Sequence, residues 1–209
     1  QLPIALTIAG SDSGGGAGVQ ADLHTFAALG VHGTSAVTCI TAQNPREVRA
    51  VQPCRPDIVR RQIEAVFAEL RPAAVKTGML HSTAIIRVVV EFFRTGKRPP
   101  LVVDPVMIST SGAGLLQPAA IKVLRDELLP LCARVTPNAP EAEVLIGHPI
   151  RTIEELRAAA RDIQARYGCA ALVKGGHLRG ASEAVDFFYD GRTELLLSAP
   201  FIKTVHTHG

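Results

Sequence analysis

The chain has 209 residues, 47% of them hydrophobic, and carries 22 basic against 19 acidic residues for a formal net charge of +3. That size suits one well-buried domain, and charges spread without a run of five like signs make nucleic acid and membrane surfaces poor partners. No apolar run approaches the roughly 18 residues that span a bilayer, and the start lacks the basic-then-apolar order of a secretion signal, so a cytoplasmic protein is expected.

Apolar runs bounded by turn residues alternate with segments of helical period, the pattern of a parallel sheet with crossover helices. Ile4 to Ala9 reads as a strand that meets a glycine cluster, after which Val19, Leu23, Phe26 and Ala27 recur at helical spacing. Thr34 to Thr41 reads as one β-rich run. Pro56-Asp57 opens a helix with Val59, Ile63, Val66, Phe67 and Leu70 on one face. Strand Ala73 to Lys76, helix Ser82 to Arg94 and strand Leu101 to Asp104 follow, then a helix after Pro118 carrying Ile121, Leu124, Leu128 and Leu131. Arg134 to Thr136 is a strand leading to a short helix near Pro140. Thr152 with Glu155 is a capping box for a helix to Tyr167, and strand Ala170 to Lys174 ends in two glycines. Ala184 to Tyr189 and Glu194 to Leu197, joined by Asp190-Gly191-Arg192, read as an antiparallel hairpin. The fold class is α/β.

Ligands of open α/β sheets bind beyond the carboxyl ends of parallel strands, and five motifs fall there. The loop from Ala9 to Gly18 has glycines that let backbone approach a ligand, and a tight turn would use the same residues. It is no Walker A loop, since no Gly-Lys-Ser/Thr follows, and a dinucleotide reading lacks an acidic residue after the second strand. In Thr41-Ala42-Gln43-Asn44 the Gln43 amide offers the acceptor and donor that suit a pyrimidine's ring nitrogen and exocyclic amine, though a surface amide would look alike. In Lys76-Thr77-Gly78-Met79-Leu80, Met79 could press on a flat ring or sit in the core.

Asp104 in Val103-Asp104-Pro105-Val106 and Glu141 in Asn138-Ala139-Pro140-Glu141 are two acids just past strands. That is the set Mg2+ uses beside phosphates, and helix caps would use it too. Between them Ile108 to Gly114 is small enough for a lid. In Val173-Lys174-Gly175-Gly176-His177 the lysine leaves a buried strand directly into glycines, where it can reach phosphate oxygens. His206 and His208 stand two apart with no third metal ligand placed by the sequence. Cys39, Cys54, Cys132 and Cys169 are scattered without a C-x-x-C pair, so neither a disulfide framework nor a zinc site is expected.

Together, AGSDSGGGAG-VQAD, TAQN, KTGML, VVDPVM, TPNAPEAEVL, VKGGH and the terminal THG stand in the order and spacing of the hydroxymethylpyrimidine/phosphomethylpyrimidine kinases of thiamine biosynthesis, which the chain resembles over nearly its whole length. The resemblance implies a ribokinase-like three-layer sandwich over residues 1–209. It also implies ATP-dependent phosphorylation of 4-amino-5-hydroxymethyl-2-methylpyrimidine and then of its monophosphate. By the same resemblance Gln43 reads the pyrimidine edge, Gly10, Met79 and Val106 line the ring pocket, and Asp22 lies near the ring's polar edge. Asp104 and Glu141 serve Mg2+ and its waters, Lys174 is the catalytic candidate that contacts ATP phosphates, Thr207 lies beside them, and Asn138 supports the nucleotide side. Relatives are commonly homodimers.

The family normally continues Thr-His-Gly with Thr-Gly-Cys into a helix whose amides receive the transferred phosphoryl group, so the reactive cysteine is expected beyond Gly209. Pro45 after Gln-Asn and Ala113 in the lid depart from the family pattern. Two alternatives stay open: a pyridoxal kinase of the same superfamily, and, if the chain truly ends at Gly209, a non-catalytic pyrimidine-binding protein.

Overall fold

The structure is a computed structural model that describes residues 2–107, 116–176, 178 and 183–201. Among the described residues the strands are β1 (Ile4–Ala9), β2 (His32–Val37), β3 (Cys39–Asn44), β4 (Glu47–Pro53), β5 (Ala74–Thr77), β6 (Leu101–Val103), β7 (Arg134–Val135), β8 (Ala170–Lys174), β9 (Glu183–Tyr189) and β10 (Glu194–Pro200). The helices are α1 (Gly18–Ala28), α2 (Pro56–Glu69), α3 (Thr83–Arg94), α4 (Pro118–Val123), α5 (Ala139–Ile146) and α6 (Ile153–Tyr167). After α4 the chain widens into a π-helical turn at Leu124–Leu128 and tightens to a 3-10 turn at Leu129–Leu131. Pro130 has no amide to continue the α ladder there.

The main sheet runs in the order β10-β9-β8-β7-β6-β5-β1-β2. Pairing is parallel from β2 through β8, while β9 and β10 are antiparallel, as the hairpin signal predicts. The turn between them is held by Asp190, whose Oδ1 accepts from Arg192 N and Thr193 N, with Gly191 at a φ of 96°. One cluster of buried side chains joins α2, α3, α4, α5 and α6 to the sheet, while α1 packs on β1 and β2 from the other face. Three layers result. The strand bodies are buried because Leu6, Ile8, Val75, Val103, Val135 and Val173 are almost wholly covered.

The run expected over Thr34 to Thr41 is two strands. At Thr38 the chain leaves the main sheet: its amide still bonds Ala9 O (2.9 Å), but its hydroxyl donates to Met79 O (2.6 Å). β3 then pairs antiparallel with β4 in a separate two-stranded ribbon. β-branched residues on both sides of the bend hide it in the sequence. β4 went unread because six of its seven residues, flanking Val51, are exposed and give little apolar alternation. Elsewhere the expected elements stand within a few residues of their expected bounds, and the Thr152–Glu155 capping box is formed in both directions.

Thr77 carries an orphan polar atom. It lies in register between Ile8 and Val103 on the core face of β5, and its buried Oγ1 has no partner among the described residues. A buried hydroxyl without a partner costs about 1–3 kcal/mol. Thr77→Val, which keeps the shape and removes the hydroxyl, is therefore expected to raise the melting temperature by roughly 2–4 °C. Calorimetric scans of the two proteins check this.

Candidate active site

The parallel strands β1, β5, β6, β7 and β8 lie side by side, so the residues that follow them form a row along one edge of the sheet, at about 4.8 Å per strand. β1 sends its connection to β2 on one side and is flanked by β5 on the other, which makes the crevice between β1 and β5 the point where strand order reverses.

At this crevice the glycine loop is organised by Asp12, which is 4% exposed. Its Oδ1 accepts from Gly14 N (2.8 Å), and its Oδ2 accepts from Gly16 N (3.1 Å) and Ala17 N (2.9 Å). The amides that would cradle a phosphate are therefore committed to a carboxylate of the protein. This supplies the structural reason why the loop is neither a Walker A nor a dinucleotide loop. Gly18, at a φ of 59°, begins α1 where any side chain would strike Gly10 O, and Val19 N donates to Gly10 O (3.0 Å). Gly10 is needed for space: a Cβ there would lie 2.6 Å from Cys39 Sγ and 3.1 Å from Met79 Cε. Gly10 is thus a neighbour of both Cys39 and Met79. Burial raises the Cys39 thiol's pKa, so it stays protonated near neutrality.

Gln43 is placed by the same loop. Ser13 Oγ donates to Gln43 O (2.6 Å) and accepts from Gln43 N (2.7 Å). Ser11 Oγ accepts from Thr41 N (3.0 Å) while Thr41 Oγ1 donates to Ser11 O (2.8 Å). Gln43 therefore does not follow a parallel strand, as the sequence suggested. It rides on the β3–β4 ribbon, which two serines fasten over the glycine loop. Its side-chain amide has no recorded hydrogen bond among the described residues. Asp22 lies under this end, where Lys76 Nζ donates to both its oxygens (2.9 and 2.8 Å) and Thr7 Oγ1 donates to Oδ2 (2.6 Å).

Farther along the row stands a charged cluster. Lys174 Nζ is 3.6 Å from Asp104 Oδ1. Glu141, 2% exposed, accepts from Asn138 N (3.0 Å) on Oε2 and from Met107 N (3.3 Å) on Oε1, and Asn138 Oδ1 accepts from Glu141 N (2.9 Å). Asn138 and Glu141 thus form a capping box on α5 as well as facing the cluster. Asn138 also bridges to Lys174 across the strand ends. Val106 N bonds Asp104 O (2.9 Å), one residue before the amide that Glu141 holds. Burial pushes the Glu141 carboxyl up to about 7; the Asn138 amide opposes this, the Asp104 charge adds to it, and the Met107 amide and Lys174 oppose it further.

Two residues that sequence reasoning passed over, Asp12 and Lys76, belong to the glycine-loop end, and a third, Asp186, accepts from Gly175 N (3.1 Å) beside Lys174. Thr207, His206, His208 and the lid from Ile108 to Gly114 lie outside the described residues. The four cysteines are free thiols. Among the described residues no three His, Cys, Asp or Glu side chains gather into a metal cage, and no helix is long and apolar enough to cross a membrane.

The sequence pattern of the family described as phosphomethylpyrimidine kinase matches residues 12–209. The chain belongs to the phosphomethylpyrimidine kinase family. It is 49% identical to a hydroxymethylpyrimidine/phosphomethylpyrimidine kinase of Synechococcus elongatus, matching 100% of this chain and 79% of that protein. It is 51% identical to the Rhizobium meliloti protein of that name, over 99% of this chain and 77% of the other. The crystal structure of a phosphomethylpyrimidine kinase from Clostridium difficile superposes with a TM-score of 0.86 at 45% identity, covering 93% of this chain and 83% of that one. An ADP complex of Bacillus subtilis pyridoxal kinase superposes at 0.89 with 36% identity, covering 100% and 79%. Membership makes the protein a kinase of ribokinase-like fold, and solved kinases of this fold carry ADP or the ATP analogue AMP-PCP.

The raised Glu141 carboxyl has a measurable sign. Because it titrates near 7 in the folded chain instead of 4.5, folding takes up a proton between those values. Its contribution is whole below pH 4.5 and is lost as pH rises through 7, a fall on the order of 3 kcal/mol. Glu141→Gln, which can still cap α5, is expected to flatten the pH dependence of stability across that window, as read by urea denaturation at several pH values.

Proposed function

We propose that this chain transfers the ATP γ-phosphoryl group to 4-amino-5-hydroxymethyl-2-methylpyrimidine and to its monophosphate, as a cytoplasmic step of thiamine biosynthesis. One observation carries the reading. A subsite in which three loop amides are committed to the Asp12 carboxylate lies at the β1–β5 crevice, and a cluster of Asp104, Glu141 and Lys174 stands on the same sheet edge. The first suits a neutral ring and the second suits phosphates.

In this reading the Gln43 amide pairs with the ring nitrogen and exocyclic amine, Gly10, Met79 and Val106 enclose the ring faces, and Asp22 lies at its polar edge. Lys174 gathers the phosphates, with Asn138 and Thr207 on the nucleotide side. Asp104 and Glu141 would hold Mg2+ and its waters. Two acids, with no third gathered beside them among the described residues, fit a cation that keeps waters and takes its other ligands from phosphate oxygens. Both Glu141 oxygens already accept amides, which fits it to orient a coordinated water rather than to bind the ion itself. The ion would neutralise charge on the phosphoryl group in flight. A homodimer and a single kinase domain over 1–209 belong to the same reading, and sedimentation of the full-length product tests the former.

A second acceptor is favoured by the superposition on pyridoxal kinases, which are 34–36% identical to this chain. Assays of the full-length gene product with hydroxymethylpyrimidine, its monophosphate and pyridoxal decide between them, and turnover of pyridoxal alone would overturn the pyrimidine assignment. Gln43→Ala is expected to raise the pyrimidine KM roughly tenfold or more with little change for ATP, since an unpaired ring edge costs about 1–3 kcal/mol. Equal losses for both substrates would remove Gln43 from the ring subsite. Asp104→Asn is expected to lower kcat by about 100-fold and to raise the magnesium concentration needed for half-maximal rate, read by titrating the metal at saturating ATP.

A further inference from the structure

Lys76 was not among the residues that the sequence marked for function, yet it makes the best-buried cation–carboxylate pair among the described ion pairs. Its side chain is 25% exposed and that of Asp22 is 17% exposed. Strand alternation turns Lys76 away from Val75 and Thr77, which face the helical core, so its ammonium emerges on the α1 side. There it meets Asp22, one helical turn after the Gly18 that abuts Gly10. A Cβ on Gly78 would lie 3.3 Å from Lys76 Nζ and 2.9 Å from Ala9 Cβ. The pair thus lies beside Gly78, one of the glycines that border the crevice.

The bonding is lopsided. Asp22 takes two bonds from one ammonium and a third from Thr7, whose side chain is buried, so its carboxylate is held in one orientation from below. Oδ1 takes one bond where Oδ2 takes two, which leaves acceptor capacity on Oδ1. The third proton of Lys76 has no recorded partner among the described residues. A carboxylate left unclamped there would be free to turn toward solvent.

We propose that Lys76 is a positioning residue for the acceptor: by donating to both oxygens of Asp22 it fixes the polar edge of the ring subsite, and it acts through Asp22 rather than on ATP. This rests on the pyrimidine kinase reading above. The test measures KM and kcat for both substrates in the full-length protein and in Lys76→Met, Lys76→Arg, Asp22→Asn and the Lys76→Met/Asp22→Asn double variant, with Gln43→Ala as a reference.

The expected result is a pyrimidine KM raised about tenfold by Lys76→Met, with the ATP KM changed by less than about twofold and most of the loss recovered in Lys76→Arg. Asp22→Asn should show a similar loss, to which adding Lys76→Met contributes little. If Lys76→Met precipitates, Lys76→Gln carries the same expectation, because it lacks the charge. An unchanged pyrimidine KM, equal losses for both substrates, or fully additive losses in the double variant would each overturn the inference. If Gln43→Ala impairs pyrimidine binding while Lys76→Met does not, only the inference falls; if the unmodified protein fails to phosphorylate the pyrimidine, the reading beneath it falls instead.

Discussion

The site rests on one buried charge. Asp12 is almost wholly enclosed and survives there because three backbone amides point at it. Those bonds curl the loop so that Gly10 meets Met79 and Cys39, and so that Ser11 and Ser13 face β3. They also cancel an anion site that the start of α1 and its glycines would otherwise present. A loop built from residues typical of phosphate binding is thereby turned away from holding an anion.

The opposite end works by the reverse principle. Glu141 is buried beside the carboxylate of Asp104, an arrangement that favours its protonated form. Two amides and the Lys174 ammonium pull the other way, so the carboxyl is poised near neutrality. The same side chain closes the first turn of α5. Structural capping and a part in the charged cluster are therefore not rival accounts of Glu141, since one carboxylate has oxygens enough for both. Lys174 and Asn138, bridged across neighbouring strand ends, keep that cluster in register with the sheet.

Much of this was legible in the chain. Continuous apolar runs marked β1, β6 and β8, and turn chemistry at Asp190-Gly191 marked the hairpin, because burial on both faces and a positive φ each demand particular residue types. The residues of the charged cluster were legible for the same reason, since each ends or follows a strand whose end is fixed by local pattern. Lys76 and Asp12 were not. A lysine inside a strand looks like a solvated residue until α1 brings Asp22 to it from 54 positions away, and an aspartate among glycines looks like a turn residue until the loop closes around it.

The sequence by itself determined the α/β class, the family and the identity of the polar groups, because period, turn residues and motif order are properties of neighbouring positions. Only the tertiary structure decided that the run after β2 bends at Thr38 into a separate ribbon, that Gln43 is fastened on that ribbon to the glycine loop, and that Asp22 is clamped by Lys76. The physical reason is that strand alternation and helical period report what a segment buries, whereas a bend or an ion pair between distant segments depends on what the rest of the chain brings against it.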